Sequence, residues 1–247
     1  IFVTVTFPKT PNVPHQCGIA PIETTLMLDD LLRRRGVRDK VEIVYTYPTV
    51  SQLLRNCLFL QKDTCEILPT VFEQRGIRHQ RGFTLARVDP EAKVAHSEEG
   101  QAEDFDILMA TPPIRAVRAV RDCGLSQAQD GEGWLPTDHE TMQVLGQSHV
   151  YVLGDTVDLP VSKAGGACHN QSPVVVSNIA SQIRFGRTSD AYDGRVVAIA
   201  QMGLDGGMPL WYDYQVDVKP TPPTKVGSMM RKGFNRGMYW AVARALV

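Results

Sequence analysis

The chain has 247 residues, 43% of them hydrophobic, which is enough for one large domain or two small ones with a real core. A formal net charge of −1 excludes a global field that would favour nucleic acid or an acidic surface. Five cysteines without a C-x-x-C argue against a disulfide scaffold or a structural zinc site and point to reduced, cytoplasmic thiols. No apolar run reaches the ~18 residues of a membrane span, nothing reads as a signal peptide, and the six histidines show no metal-ligand spacing.

In chain order, Val3 to Phe7 reads as an apolar strand, and Pro8 to Ala20 as a loop with three prolines. Pro21 and Glu23 are helix-start signals, and Gly36 is a stop. Asp29–Arg33 and Asp30–Arg34 have the spacing of helix surface pairs worth a few tenths of a kcal/mol each. Val41 to Tyr45 is the next strand, so this stretch predicts a βαβ unit and a parallel sheet. Phe83 to Val88 and Lys93 to Ala95 predict a small antiparallel hairpin, and Asp104 to Ala110 a buried strand followed by a crossover at Pro112-Pro113. Val150 to Leu153 is an apolar strand that ends in Gly154-Asp155, and a helix is expected from Gly165 to Arg184. The Pro220 to Pro223 tract is a stiff connector. The core expected from these elements comprises Val3, Val5, Leu26, Leu31, Ile43, Val44, Ile107, Leu108, Val150, Val152, Val175 and Ile179.

A strand ending in Gly-Asp presents one carboxylate where a ribose or polyol hydroxyl can be hydrogen-bonded, and the following helix offers its N-terminal N–H groups. A plain strand and turn produces the same local pattern. Cys17 lies just before a helix N-terminus, a position that lowers a thiol pKa. Cys168 stands beside His169 at the start of the second helix; it reads either as a second reactive thiol or as a small residue packed in a helix. Cys57, Cys65 and Cys123 read as core or partly buried. Lys225 to Val247 carries five basic and no acidic residues, interleaved with Met229, Met230, Phe234, Met238 and Trp240. Such a segment suits a membrane surface, or a helix docked on a neighbouring domain or subunit.

The ordered series GEGWLPTDHET (131–141), VYVLGDTVDLP (150–160) and KAGGACHNQS (163–172), with Tyr192-Asp193-Gly194 and Tyr239-Trp240, resembles the two-dinucleotide-binding-domain flavoproteins. The likeness is to their branch of sulfide:quinone oxidoreductases and flavocytochrome c sulfide dehydrogenases. It implies an α/β fold of the Rossmann-like FAD/NAD(P)-binding type, with a parallel sheet, helices and a small antiparallel element. No G-x-G-x-x-G occurs, so the N-terminal part of the FAD domain is expected to lie outside this sequence. The organisation expected is a degenerate NAD(P)-like domain over 1–113, the C-terminal part of the FAD domain over 114–186, a strand-rich segment and connector over 187–224, and the basic helix over 225–247. The first βα loop has one glycine, Gly18, and Thr46 and Tyr47 stand where a ribose-binding acid belongs, which argues against NAD(P) there.

The resemblance implies FAD as cofactor, contacted by Gly154, Asp155, Pro160, Lys163, Ala164 and Gly165. It places Lys163 by the isoalloxazine, where its charge would favour the reduced flavin. It also implies that Cys17 is one of two redox cysteines, in enzymes where sulfide attacks a disulfide or polysulfide bridge and two electrons pass through flavin to quinone. The second of those cysteines has no counterpart in Arg195 to Ile199; Cys168 is the candidate replacement. A reduced sulfur compound as donor, quinone or another acceptor, and a peripheral place at the inner face of the cell membrane follow from the same likeness. Two alternatives remain: a type II NADH:quinone dehydrogenase-like flavoprotein, and a non-catalytic module without FAD.

Overall fold

The computed structural model describes residues 1–6, 19–47, 69–126, 133–215 and 221–244. Its first part is a parallel sheet in the order β3-β2-β1-β7, built from β1 (Phe2–Val5), β2 (Val44–Tyr47), β3 (Arg78–Arg81) and β7 (Leu108–Thr111). Phe2 is in register with both Val44 and Leu108, and all four residues of β1 and of β2 are buried, as continuous apolar parallel strands require. The α/β class and the parallel sheet are as expected, and so is the antiparallel element, which gains a third strand. It consists of β4 (Leu85–Asp89), β5 (Val94–Ser97) and β6 (Ala102–Asp104) in sequence order.

The helix α1 (Ile19–Arg34) starts two residues before Pro21. The proline falls in the first turn, where a helix has no use for the missing N–H. Ile22, Thr25, Leu26 and Asp29 form its buried face at helical spacing. Leu31, expected in the core, is exposed because Asp29 occupies the core-facing position of that turn. Of the expected pairs, Asp29–Arg33 forms but is joined by two further arginines, and Asp30–Arg34 does not form. Asp29 has no solvent exposure and accepts hydrogen bonds from Arg33 at 2.9 Å, Arg38 at 2.5 Å and Arg75 at 2.9 Å. Burial pushes its pKa up, and these three guanidinium groups more than reverse that and hold it below the usual carboxylate value. Asp30 pairs with Arg75, and Arg34 reaches Asp205 instead.

The expected single strand over Asp104 to Ala110 is two elements. The chain leaves β6 through 105–107 before joining the parallel sheet as its edge strand β7, so Ile107 is exposed and Leu108 only partly buried. A helical turn α2 (Arg118–Arg121) leads to β8 (Leu135–Pro136), β9 (Gln143–Val144) and β10 (Gln147–Tyr151), the last two antiparallel. A short 3₁₀ turn (Gly154–Thr156) enters β11 (Val157–Asp158), which pairs parallel with β8. The long helix α3 (Gly165–Phe185) follows, then a hairpin of β12 (Val196–Gln201) and β13 (Gly207–Tyr212).

That hairpin joins two cores. Ala200, Met202, Met208 and Leu210 pack with β1, α1 and β2, whereas Val196 and Tyr212 pack with Val157, Leu159 and Val175 around α3. The C-terminal segment is α4 (Lys225–Gly233), one π turn (Phe234–Met238) and α5 (Tyr239–Ala243), rather than a single helix. α4 lies on β13 with backbones almost touching: a Cβ on Gly207 would sit 2.2 Å from the Gly227 carbonyl carbon, so only glycine fits at that crossing. The start of the expected Pro220 connector and the loop bearing Cys17 lie outside the described residues, as do Cys57 and Cys65.

Candidate functional site

The expected cofactor contacts and Cys168 lie together at the turn 154–157 and the N-terminus of α3, whereas Cys17 lies outside the described residues. The strand leading to it ends at Tyr151, in the small antiparallel pair rather than at the edge of the parallel sheet. Gly154 then turns the chain with φ +76°, a conformation a side chain would strain. Its N–H donates to Gln171 Oε1 at 2.7 Å, and Gln171 itself is fully buried on α3. A Cβ on Gly154 would lie 3.7 Å from Cys168 Sγ, so turn and helix are in direct contact.

Asp155 follows with an exposed side chain, available to a ligand. Behind it α3 begins at Gly165 with Ala164 as N-cap and no side chain capping it. A 21-residue helix with an uncapped N-terminus offers N–H groups and a positive dipole end to an electron-rich group. Gly165 is exposed there, and Pro160 and Ala164 are partly buried beside it. Gly166 has a packing role instead: a Cβ on it would lie 2.4 Å from the Val197 carbonyl oxygen.

Lys163 differs from expectation. It is only 5% exposed, and its Nζ donates to the backbone carbonyls of Asp155 at 2.8 Å and Val157 at 2.7 Å. The ammonium also lies 4.2 Å from the centre of the Trp134 ring. Burial pushes its pKa down to about 8, against the opposing pull of Asp155 and Asp158.

Cys168 is partly buried, and its thiol is pushed up by burial and then by the Asp155 carboxylate. That is opposite to the direction a poised nucleophile needs, so the low-pKa reading of Cys168 gives way to that of a residue packed in the helix. Cys123, expected in the core or partly buried, is exposed, and its thiol donates to the Val120 carbonyl one turn earlier. Ile179 is also exposed, since α3 turns Val176, Ile179 and Ile183 outward. No group of three or more metal-ligating side chains occurs among the described residues.

Two residues of the site, Gln171 and Trp134, are not singled out by the sequence. A signal for Gln171 was present: it shares the 167, 171, 175, 178 spacing of the buried helix face, where a polar side chain must have a partner. Trp134, 6% exposed, packs with Ala116 and partly buried Ile114 and Val120 on one side and under Lys163 on the other.

The residues present fit one end of an FAD. They offer a free carboxylate for a polyol or ribose hydroxyl and a helix N-terminus for carbonyl or phosphate oxygens. The glycine-rich seat for the pyrophosphate is absent from the sequence.

No family model matches the chain. It is 28% identical over 187 residues to a mitochondrial sulfide:quinone oxidoreductase of Dictyostelium discoideum, covering 74% of this chain and 40% of that protein. The mouse protein of the same name is 24% identical over 219 residues, covering 86% and 47%. The chain thus spans less than half the length of these curated relatives. Among solved structures, the sulfide:quinone oxidoreductase of Aquifex aeolicus superposes with a TM-score of 0.78 at 18% identity, over 98% of this chain and 58% of that one. A chain of the Tetrahymena thermophila mitochondrial ATP synthase superposes at 0.72, also at 18% identity and over 98% and 58%. The resemblance carried by the Trp134 to Ser172 series therefore holds: the chain is a relative of the sulfide:quinone oxidoreductases, with an α/β fold shared with the Aquifex protein.

Proposed function

We propose that this chain is part of an FAD-dependent oxidoreductase that moves two electrons from a reduced sulfur compound to quinone. The observation that carries the reading is the exposed Asp155 carboxylate, set by Gly154 in front of the uncapped α3 N-terminus. In this role Asp155 accepts hydrogen bonds from ribityl hydroxyls, and Pro160, Ala164 and Gly165 line the approach to the helix N-terminus. FAD, when bound, supplies the two-electron carrier. Cys17 is the proposed thiol that meets the sulfur donor, and Cys168, with its raised pKa, stays protonated beside Gly154 as a packing residue. The chain divides, in this proposal, into a degenerate NAD(P)-like domain over 1–113 and part of the FAD domain over 114–186, with the β12–β13 hairpin packed against both.

The acceptor side is proposed to lie at a membrane surface. Val226, Met229, Met230, Met238 and Trp240 are exposed within 225–240, with Lys225 and Arg236 among them, whereas Phe234 meets the His169 ring edge-on and Lys232 turns to Leu204 and Asp205. Apolar side chains with interleaved bases suit the headgroup boundary of a bilayer. No described helix is long and apolar enough to cross one. The curated relatives are named as mitochondrial, which favours a mitochondrial membrane over the cytoplasmic face of a cell membrane.

NADH is disfavoured as donor. Thr46 and Tyr47 at the end of β2 are buried and belong to the sheet, so no carboxylate stands there for a ribose. The test is to load the protein with FAD and add sulfide or NADH anaerobically. Bleaching of the flavin by sulfide alone is the expected result; bleaching by NADH would select the NADH dehydrogenase reading. A non-catalytic role is the second reading, favoured by the shared fold of the ATP synthase chain and the missing second cysteine. It predicts no bleaching by either donor.

A further inference from the structure

Lys163 stands out because its ammonium is both buried and fully engaged inside the protein. Two of its donors go to the carbonyls of Asp155 and Val157, which bracket the turn, and the ring of Trp134 covers another side at 4.2 Å. Nothing in this arrangement reaches outward to a ligand. The far end of the turn is tied by Val157, which pairs with Leu135 and is buried in the core. Ahead of it Gly154 N–H is fixed by Gln171, and Thr156 Oγ1 bonds the Leu153 carbonyl locally at 3.2 Å, so Lys163 is the side chain that reaches the Asp155 carbonyl between them. Two anchors, Gln171 at the start and Lys163 across 155 and 157, thus fix the backbone direction in which the Asp155 side chain leaves.

We propose that Lys163 is a positioning residue which, with Trp134, clasps the 154–157 turn and so sets the direction of the Asp155 carboxylate, instead of touching the cofactor itself. An ammonium suits this task because it donates to two carbonyls at once and is attracted to an aromatic face. A neutral side chain of the same length leaves two buried carbonyls without a donor. The charged groups facing Lys163 are Asp155 and Asp158, and both favour its protonated form. The clasp rests on the proposed cofactor contact for its purpose, but its existence is tested without any cofactor.

The test uses the whole chain and three variants, Lys163→Met, Trp134→Leu and Asp155→Ala. Proton–carbon NMR should show one lysine whose ε-CH2 is shifted upfield by an aromatic ring and whose titration is centred near 8, not at the ordinary 10.5. The upfield shift should vanish in Trp134→Leu and the whole signal in Lys163→Met. Amide hydrogen exchange at 155–157 should be about tenfold faster in Lys163→Met than in the parent at one pH, with the β12–β13 amides unchanged. Asp155→Ala should leave that exchange at the parental rate while still lowering FAD retention. Absence of a ring-shifted lysine in the parent, or unchanged exchange in a folded Lys163→Met, overturns the clasp. If Lys163→Met does not fold, the parent and Trp134→Leu spectra decide alone. If FAD retention proves indifferent to Asp155 while the exchange result stands, the cofactor reading fails and the clasp survives.

Discussion

Arg231 in α4 and Glu23 in α1, 208 residues apart, form a two-pronged ion pair, with Nη2 2.9 Å from Oε2 and Nη1 on Oε1. Glu23 Oε1 also accepts from the Gln201 N–H at 2.7 Å, and Arg231 donates to the Ile199 carbonyl. One carboxylate thus fastens helix α1, the hairpin and the C-terminal helix together. Removing either charge strands its partner in a site with little solvent. Glu23→Gln should destabilise the fold by about 3 kcal/mol, measured by urea denaturation. A loss below about 1 kcal/mol would show that the pair is screened as at a surface.

The pair also decides which way α4 faces. Its inner side is spent on Glu23, Gln201 and the Gly207 crossing, so Met229 and Met230, 70% and 59% exposed, are left outside. Met229→Glu with Met230→Glu should keep the melting temperature within a few degrees. It should also lower sedimentation with anionic vesicles at least tenfold. Equal sedimentation of parent and variant would remove the membrane contact from the account.

Lys163 gives the fold a specific pH response. Its pKa in the folded chain is about 8, against 10.5 as the ordinary value, so the folded state gives up this proton first. Between those values the unfolded chain binds more protons, and stability rises with pH. The contribution is fully present above 10.5 and is lost as pH falls through about 8. The stability of the parent relative to Lys163→Met should therefore increase by about 3 kcal/mol from pH 8 to pH 10.5. A flat difference across that range would mean the ammonium is solvated.

The two cysteines divide cleanly. Cys17→Ser should abolish sulfide-dependent reduction and leave bound flavin in place, whereas Cys168→Ser should change the rate less than about threefold, because its thiol is held protonated. Stopped-flow reduction by sulfide separates them. A larger loss in Cys168→Ser than in Cys17→Ser would restore Cys168 as the reactive thiol.

Much of this architecture is legible in the residues because it depends on local periodicity. The α1 and α3 spans, the parallel strands and the antiparallel element follow from apolar spacing and from Pro21 and Gly36, and the Gly154-Asp155 turn from its own glycine. What was hidden depends on pairing between distant segments. Asp29 reads as a surface residue until Arg75, 46 positions on, is seen to close over it. Leu31, Ile107 and Ile179 read as core because apolarity does not say which side of an element is covered. Lys163 reads as a charge for a ligand; only the position of Trp134, in a separate segment, shows that the ammonium is turned inward. Cys168 follows the same logic, since sequence gives its helix position but not the burial that pushes its thiol up.

The most direct measurement is the visible absorption spectrum of the purified chain and of Asp155→Ala, each loaded with FAD and freed of excess by gel filtration. Asp155 is exposed and its carboxylate acts on the Lys163 ammonium only through space, so the substitution should change stability by less than about 1 kcal/mol. The account predicts a retained flavin band in the parent that is lost or strongly reduced in Asp155→Ala. Equal flavin retained by both proteins would contradict the assignment of the 154–165 region as a cofactor contact.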